Sequence, residues 1–168
     1  MRPFSFRVAA LSQKMESVVW EEVLARAWVA EEEEIVVVAL QHSTDDEEEE
    51  DFSRKEKIIA HLDYVVAGYR RSGTLRTWVL AKKAFYEERP VSVASDFGSE
   101  AVLTVVVTVE NFAAAIVNCH FPSAMMASDR SDVIRDALAV VDAPGYFSLV
   151  EDDEANFSAE KKICDMHI

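Results

Sequence analysis

Three apolar runs constrain this chain more than anything else in it: Ile35 to Leu40 (IVVVAL), Ala101 to Val109 (AVLTVVVTV) and Phe112 to Asn118 (FAAAIVN). A strand with one wet face alternates apolar and polar residues, and these do not alternate. Each run is therefore expected to be covered on both faces. The second and third are joined at Glu110-Asn111, the clearest hairpin signal in the sequence. Buried sheets need layers on either side, which points to helices outside them.

The rest of the chain supplies those layers. Phe4 to Ala10 reads as a first strand. Met15, Val19, Val23 and Ala27, with Trp20, Leu24 and Trp28 beside them, predict a helix over residues 14 to 30. After the acidic loop at 44–52, Ser53 can cap a short helix with Ile58, Ile59 and Leu62 on its apolar side. Tyr64 to Tyr69 and Thr74 to Phe85 read as two strands around a turn at Arg71-Ser72-Gly73, and Val91 to Phe97 as another. Val133, Ile134, Ala137, Leu138 and Val141 mark one face of a helix that Ser128 can cap. Phe147 to Val150 is a last short strand, and the tail FSAEKKICDMHI is ambiguous. The expectation is one domain, residues 1–168: a layered β-sandwich of two mixed sheets flanked by helices, an α/β fold.

Size and charge narrow the function. At 168 residues and 50% hydrophobic content, the chain can build one sizeable core. Its 31 acids against 17 Lys and Arg give a net charge of -14, a poor match to nucleic acid or an anionic membrane. Much of the excess lies in EEEE at 31–34 and DDEEEED at 45–51, which read as solvated segments without the ligand spacing of a calcium loop. Arg70, Arg71, Arg76, Lys82 and Lys83 can form a local basic patch or protect a strand edge. Cys119 and Cys164 have no metal-knuckle or disulfide-framework spacing, so the chain reads as intracellular, with Cys119 a buried thiol. MRPFSFRVAALSQK, acid-free, also fits an organellar presequence, but a strand needed by the sheet would not be removed. A cytoplasmic location is expected over a mitochondrial one.

The segment AAAIVNCHFPSAMMASDR, 113–130, raises the functional question. A buried strand ends on Asn118, Cys119 and His120, with Arg130 ten residues on. Such an end can simply meet water, or it can hold a phosphoester.

Taken with FRVAALS at 6–12, IVVVALQH at 35–42, TWVLAKKAF at 77–85, GSEAVLTVVV at 98–107, IVNCHFPS at 116–123, SDRSDVI at 128–134 and FSLVEDDEAN at 147–156, the order of segments resembles the endonuclease/exonuclease/phosphatase superfamily. The nearest look is to inositol polyphosphate 5-phosphatases. The resemblance implies a two-sheet sandwich in which magnesium and an acid/base set cleave a phosphoester by in-line attack of water. It implies catalytic roles for Asp152 and His120, and phosphate binding by Asn118 and Arg130.

Several motif positions depart from the family. Ser12 stands where the family has an asparagine. His42 (LQH) stands where LQE supplies the glutamate ligand of magnesium, and imidazole replaces a carboxylate poorly there. Glu100 (GSEA) stands where GNKG supplies a lysine to the phosphate, which reverses the charge. EDDE keeps Asp152 but puts Glu154 where the family has asparagine. The final SDH motif is matched only by Asp165 and His167, which come too early, so the fold is expected to be shortened at its C-terminal side.

The apolar framework thus matches while residues that do chemistry change. The expected function is a catalytically degenerate phosphoesterase-fold protein, acting as a structural or interaction subunit of a larger assembly, with a protein partner and no cofactor. The alternative is a residual magnesium-dependent 5-phosphatase acting on an inositol phosphate or phosphoinositide. His42, Asp152 and His120 around a softer metal, and nuclease activity, are further readings with less behind them.

Overall fold

Two sheets carry the three apolar runs, and each run is buried from both sides as its composition demands. The computed structural model describes residues 3–12, 33–41, 56–57, 59–99, 101–121, 124–139, 145–151 and 163–167. The first sheet contains β1 (Ser5–Ser12), β2 (Ile35–Gln41), β3 (Tyr64–Ser72), β4 (Leu75–Lys82) and β9 (Ile163–His167), in the order β3-β4-β2-β1-β9. The second contains β5 (Val91–Gly98), β6 (Val102–Val109), β7 (Phe112–His120) and β8 (Gly145–Glu151), in the order β5-β6-β7-β8. Both are mixed. β1 and β2 are parallel, as are β7 and β8, and the other pairs are antiparallel.

Strand alternation sorts the side chains. Phe6, Val8, Ile35, Val37, Leu75 and Val79 of the first sheet meet Leu103, Val105, Val107, Ala114 and Ile116 of the second in the central core. On the outer face of the first sheet, Val36, Val38, Leu40, Trp78 and Leu80 cluster with Ile59, which lies in the short helical stretch at 59–61. The outer face of the second sheet is covered by a helix, α2 (Ala127–Ala139), whose Val133, Ile134 and Ala137 pack on Val102, Val117, Cys119 and Phe121. Full burial of each such aliphatic side chain contributes about 1.5–3 kcal/mol, so cover on both faces is what these runs require.

Several expectations change. The run Thr74 to Phe85 is not one strand: β4 stops at Lys82 and a helix, α1 (Lys83–Glu88), follows. A helical turn buries Phe85 against Phe4, ring centroids 5.5 Å apart, while the neighbouring Lys, Ala and Glu suit a helix. Pro90 then holds Arg89 extended, at φ -133° and ψ 113°, and ends it. The turn after β3 falls at Gly73-Thr74, with Gly73 at φ 52°. Ser128 is not the cap of α2: Arg130 N donates to Met126 O, and the exposed Ser128 lies in the first turn. Arg76 is not part of a surface basic patch, because it is fully buried with Nη1 on Gly73 O and Leu75 O. The tail becomes β9, antiparallel to β1. Residues 5–12 form an interior strand of the sheet, while the helix over 14–30 and the acidic loop 44–52 lie outside the described residues.

Candidate functional site at a strand-end pole

β1, β2, β7 and β8 run in directions that bring their C-terminal ends to one pole of the sandwich. Ser12 is in register with Gln41 at the ends of β1 and β2. His120 is in register with Glu151 at the ends of β7 and β8. Gln41 Nε2 donates across the sheets to Cys119 O at 2.5 Å, which joins the two pairs of ends.

Asn118 sits at the centre of that pole. It follows Ala114 and Ile116 on the inner face of β7, as Thr77 follows Leu75 on β4 and Gln41 follows Ile35 and Val37 on β2. Its Nδ2 donates to Leu40 O at 3.1 Å, Arg76 O at 3.0 Å and, more weakly, Thr77 Oγ1 at 3.4 Å. Its Oδ1 accepts from Gln41 Nε2 at 3.4 Å. Asn118 is 0% and Gln41 2% exposed. The two carboxamides bond the sheets to each other, in a place where an unbonded polar group would cost about 1–3 kcal/mol.

Around this tie, His120 is half-buried and its backbone N donates to Ala101 O at 2.9 Å. Burial pushes the Cys119 thiol up to about 12, which keeps it protonated and a poor nucleophile. Arg130 is half-buried on α2, with Nε donating to Met125 O at 3.0 Å, so part of its guanidinium holds the lead-in to its own helix.

Of the candidate residues, the pole thus gathers Asn118, His120 and the backbone of Ser12. His42, Glu100, Asp152 and Glu154 lie outside the described residues. Asp165 and His167 are in register with Arg7 and Ser5, toward the other end of β1, roughly 17 Å and 23 Å from Ser12 at ~3.3 Å per residue. They do not lie at the pole where the resemblance would put its final motif. Gln41 and Thr77 carry the cross-sheet tie and are not marked in the sequence, because β2 and β4 are buried on both faces and their apolar pattern does not tell the inner face from the outer.

The described side chains at the pole offer two amides, a hydroxyl and an imidazole. Magnesium selects hard carboxylate and water oxygens in octahedral array, and this set does not fit it. Among the described residues, no three His, Cys, Asp or Glu side chains gather at a possible metal site.

No protein-family model matches the chain, and no curated protein does. Solved structures do resemble it. The inositol polyphosphate 5-phosphatase domain of SPSynaptojanin, in complex with inositol (1,4)-bisphosphate and calcium ion, aligns with a TM-score of 0.54 at 11% identity, over 78% of this chain and 44% of that one. An endonuclease/exonuclease/phosphatase family protein from Leptotrichia buccalis aligns with a TM-score of 0.52 at 13% identity, over 85% and 66%. The Cimex nitrophorin ferrous NO complex aligns with a TM-score of 0.52 at 9% identity, over 76% and 50%. The chain thus spans between 44% and 66% of the length of these structures. At such identities the likeness is one of fold: a two-sheet sandwich of the endonuclease/exonuclease/phosphatase type, with helices on the outer faces.

Proposed function

We propose that this chain is a catalytically silent relative of the phosphoesterases that share its fold, serving as a structural or interaction subunit of a larger assembly through a protein partner and without a cofactor. The observation that carries this reading is the cross-sheet tie. The amide that a phosphate-binding pole would turn toward its ligand, Asn118, is wholly buried and bonded to the backbone of the facing sheet.

Charge supports it. β2 and β8 both run out at this pole into acid-rich sequence, with seven acids at 45–51 and four at 151–154. Concentrated negative charge in the sequence that follows these strands works against recruiting a polyanionic substrate. The fold itself does not decide the chemistry, since one structure of this fold is a ferrous NO complex and another holds an inositol bisphosphate.

The test is isothermal titration of the whole chain with magnesium and manganese, followed by phosphate release from a panel of inositol phosphates. The expected result is neither binding nor release. Metal binding, with turnover abolished by Asp152→Ala, would instead establish a residual 5-phosphatase-like phosphoesterase with magnesium at a rebuilt site.

A further inference from the structure

β3 and β5 are the edge strands of their sheets, and they lie against each other on one flank of the sandwich. An edge strand presents unpaired backbone groups to any passing strand, a standing route to aggregation. Here the two edges are stitched by side chains. Arg70 Nη2 donates to Val93 O on β5 at 2.8 Å, while Nη1 holds Tyr69 O on its own strand at 2.8 Å. Two residues on, Ser72 Oγ donates to Ser99 O, just past β5, at 2.7 Å.

The backbone is shaped for this closeness. β3 breaks register between Val66 and Gly68, and a Cβ at Gly68 would stand 2.6 Å from Val93 Cβ. Only glycine lets the strands approach so far. β5 has its own irregularity between Ala94 and Phe97, next to the same seam. Bulges that twist an edge away and a charged side chain laid across it are both devices that withhold an edge from pairing.

We infer that Arg70 is an edge guard: by clamping β3 to β5 it closes this flank and withholds both edges from strand pairing between molecules. The guanidinium suits the task because its planar fork bonds two carbonyls at once, and an incoming strand would have to bury this cationic group. The inference goes beyond the silent-subunit reading and does not depend on it, since an active enzyme would need the same protection.

The experiment compares Arg70→Ala and Gly68→Ala with the unaltered chain. The first removes the clamp and the second wedges the strands apart, so two unrelated changes act on one seam. Sedimentation equilibrium over a range of concentrations reads association, and hydrogen exchange reads the backbone amides of 69–72 and 91–94. Both variants are expected to associate at concentrations where the unaltered chain does not gain mass. Exchange at the seam should rise at least ~10-fold in dilute samples while the amides of β2 and β7 stay protected. Association and seam exchange unchanged in both variants would overturn the inference. Loss of all protection in both would overturn it too, because Arg70 would then support the core and not a flank.

Discussion

Asn118 has two carboxamide hydrogens and one acceptor oxygen, and the structure uses them inside the sandwich, on Leu40 O, Arg76 O and Gln41 Nε2. Replacing it by leucine keeps the volume and strands those partners in a water-free place. Asn118→Leu is expected to lower unfolding stability by about 3 kcal/mol, more than a surface amide would, because buried acceptors lose their donor. Urea unfolding followed by tryptophan fluorescence checks it, and a change below ~1 kcal/mol would show that the tie carries little. The same residue shows what the sequence could reveal. The strand-end "VNCH" marked the place, and the structure puts Asn118 on the inner face with Ala114 and Ile116. Its partners could not be read, because Gln41 and Thr77 lie on other strands and their meeting depends on packing between sheets.

At the level of elements, what was legible was burial, and what was missed was where a run changes shape. β2, β6 and β7 stand within a residue or two of their apolar runs, since a continuous β-branched stretch has few other ways to hide. α1 was absorbed into a strand because Leu80, Ala81 and Phe85 look like one apolar series, although Arg89-Pro90 announced a boundary. Phe85 is the residue that docks this short helix, through Phe4 and the guanidinium of Arg89, 5.6 Å from its ring centroid. Phe85→Ala is expected to cost about 3 kcal/mol, within the usual range for truncating a buried aromatic. Proteolysis should then cut first near 83–90. Cleavage confined elsewhere, with stability unchanged, would show that α1 is not held by this ring. β9 was illegible for a different reason: the alternation Cys164, Asp165, Met166, His167 is only four residues long, and only its antiparallel register with β1 gives it a place.

For the molecule as a whole, the layered sandwich followed from the buried runs and the parallel pairing of β1 with β2 from the strand-helix-strand order of residues 4–40, whereas the meeting of their ends with those of β7 and β8 at one pole did not, because contact between two sheets leaves no local mark. Burial of titrating groups gives the whole fold an alkaline limit. The Cys119 thiol is moved by burial from its ordinary 9.0 to about 12, and Tyr64, buried beside Glu33 with its hydroxyl donated to Glu33 O, from 10.0 to about 12. In the folded chain both keep their protons where the unfolded chain gives them up. Their stabilising contribution is therefore complete below pH 9 and is lost as pH rises toward 12. Between pH 9 and 10 the thiol dominates, and stability should fall by about 1 kcal/mol, since a fully released proton is worth ~1.4 kcal/mol per pH unit. Cys119→Ala should be less stable at neutral pH and yet flatter across that interval, with the later fall from Tyr64 intact. If the variant loses stability between pH 9 and 10 as steeply as the unaltered chain, the thiol is not the titrating group, and the alkaline limit belongs to charge repulsion in a chain already at -14.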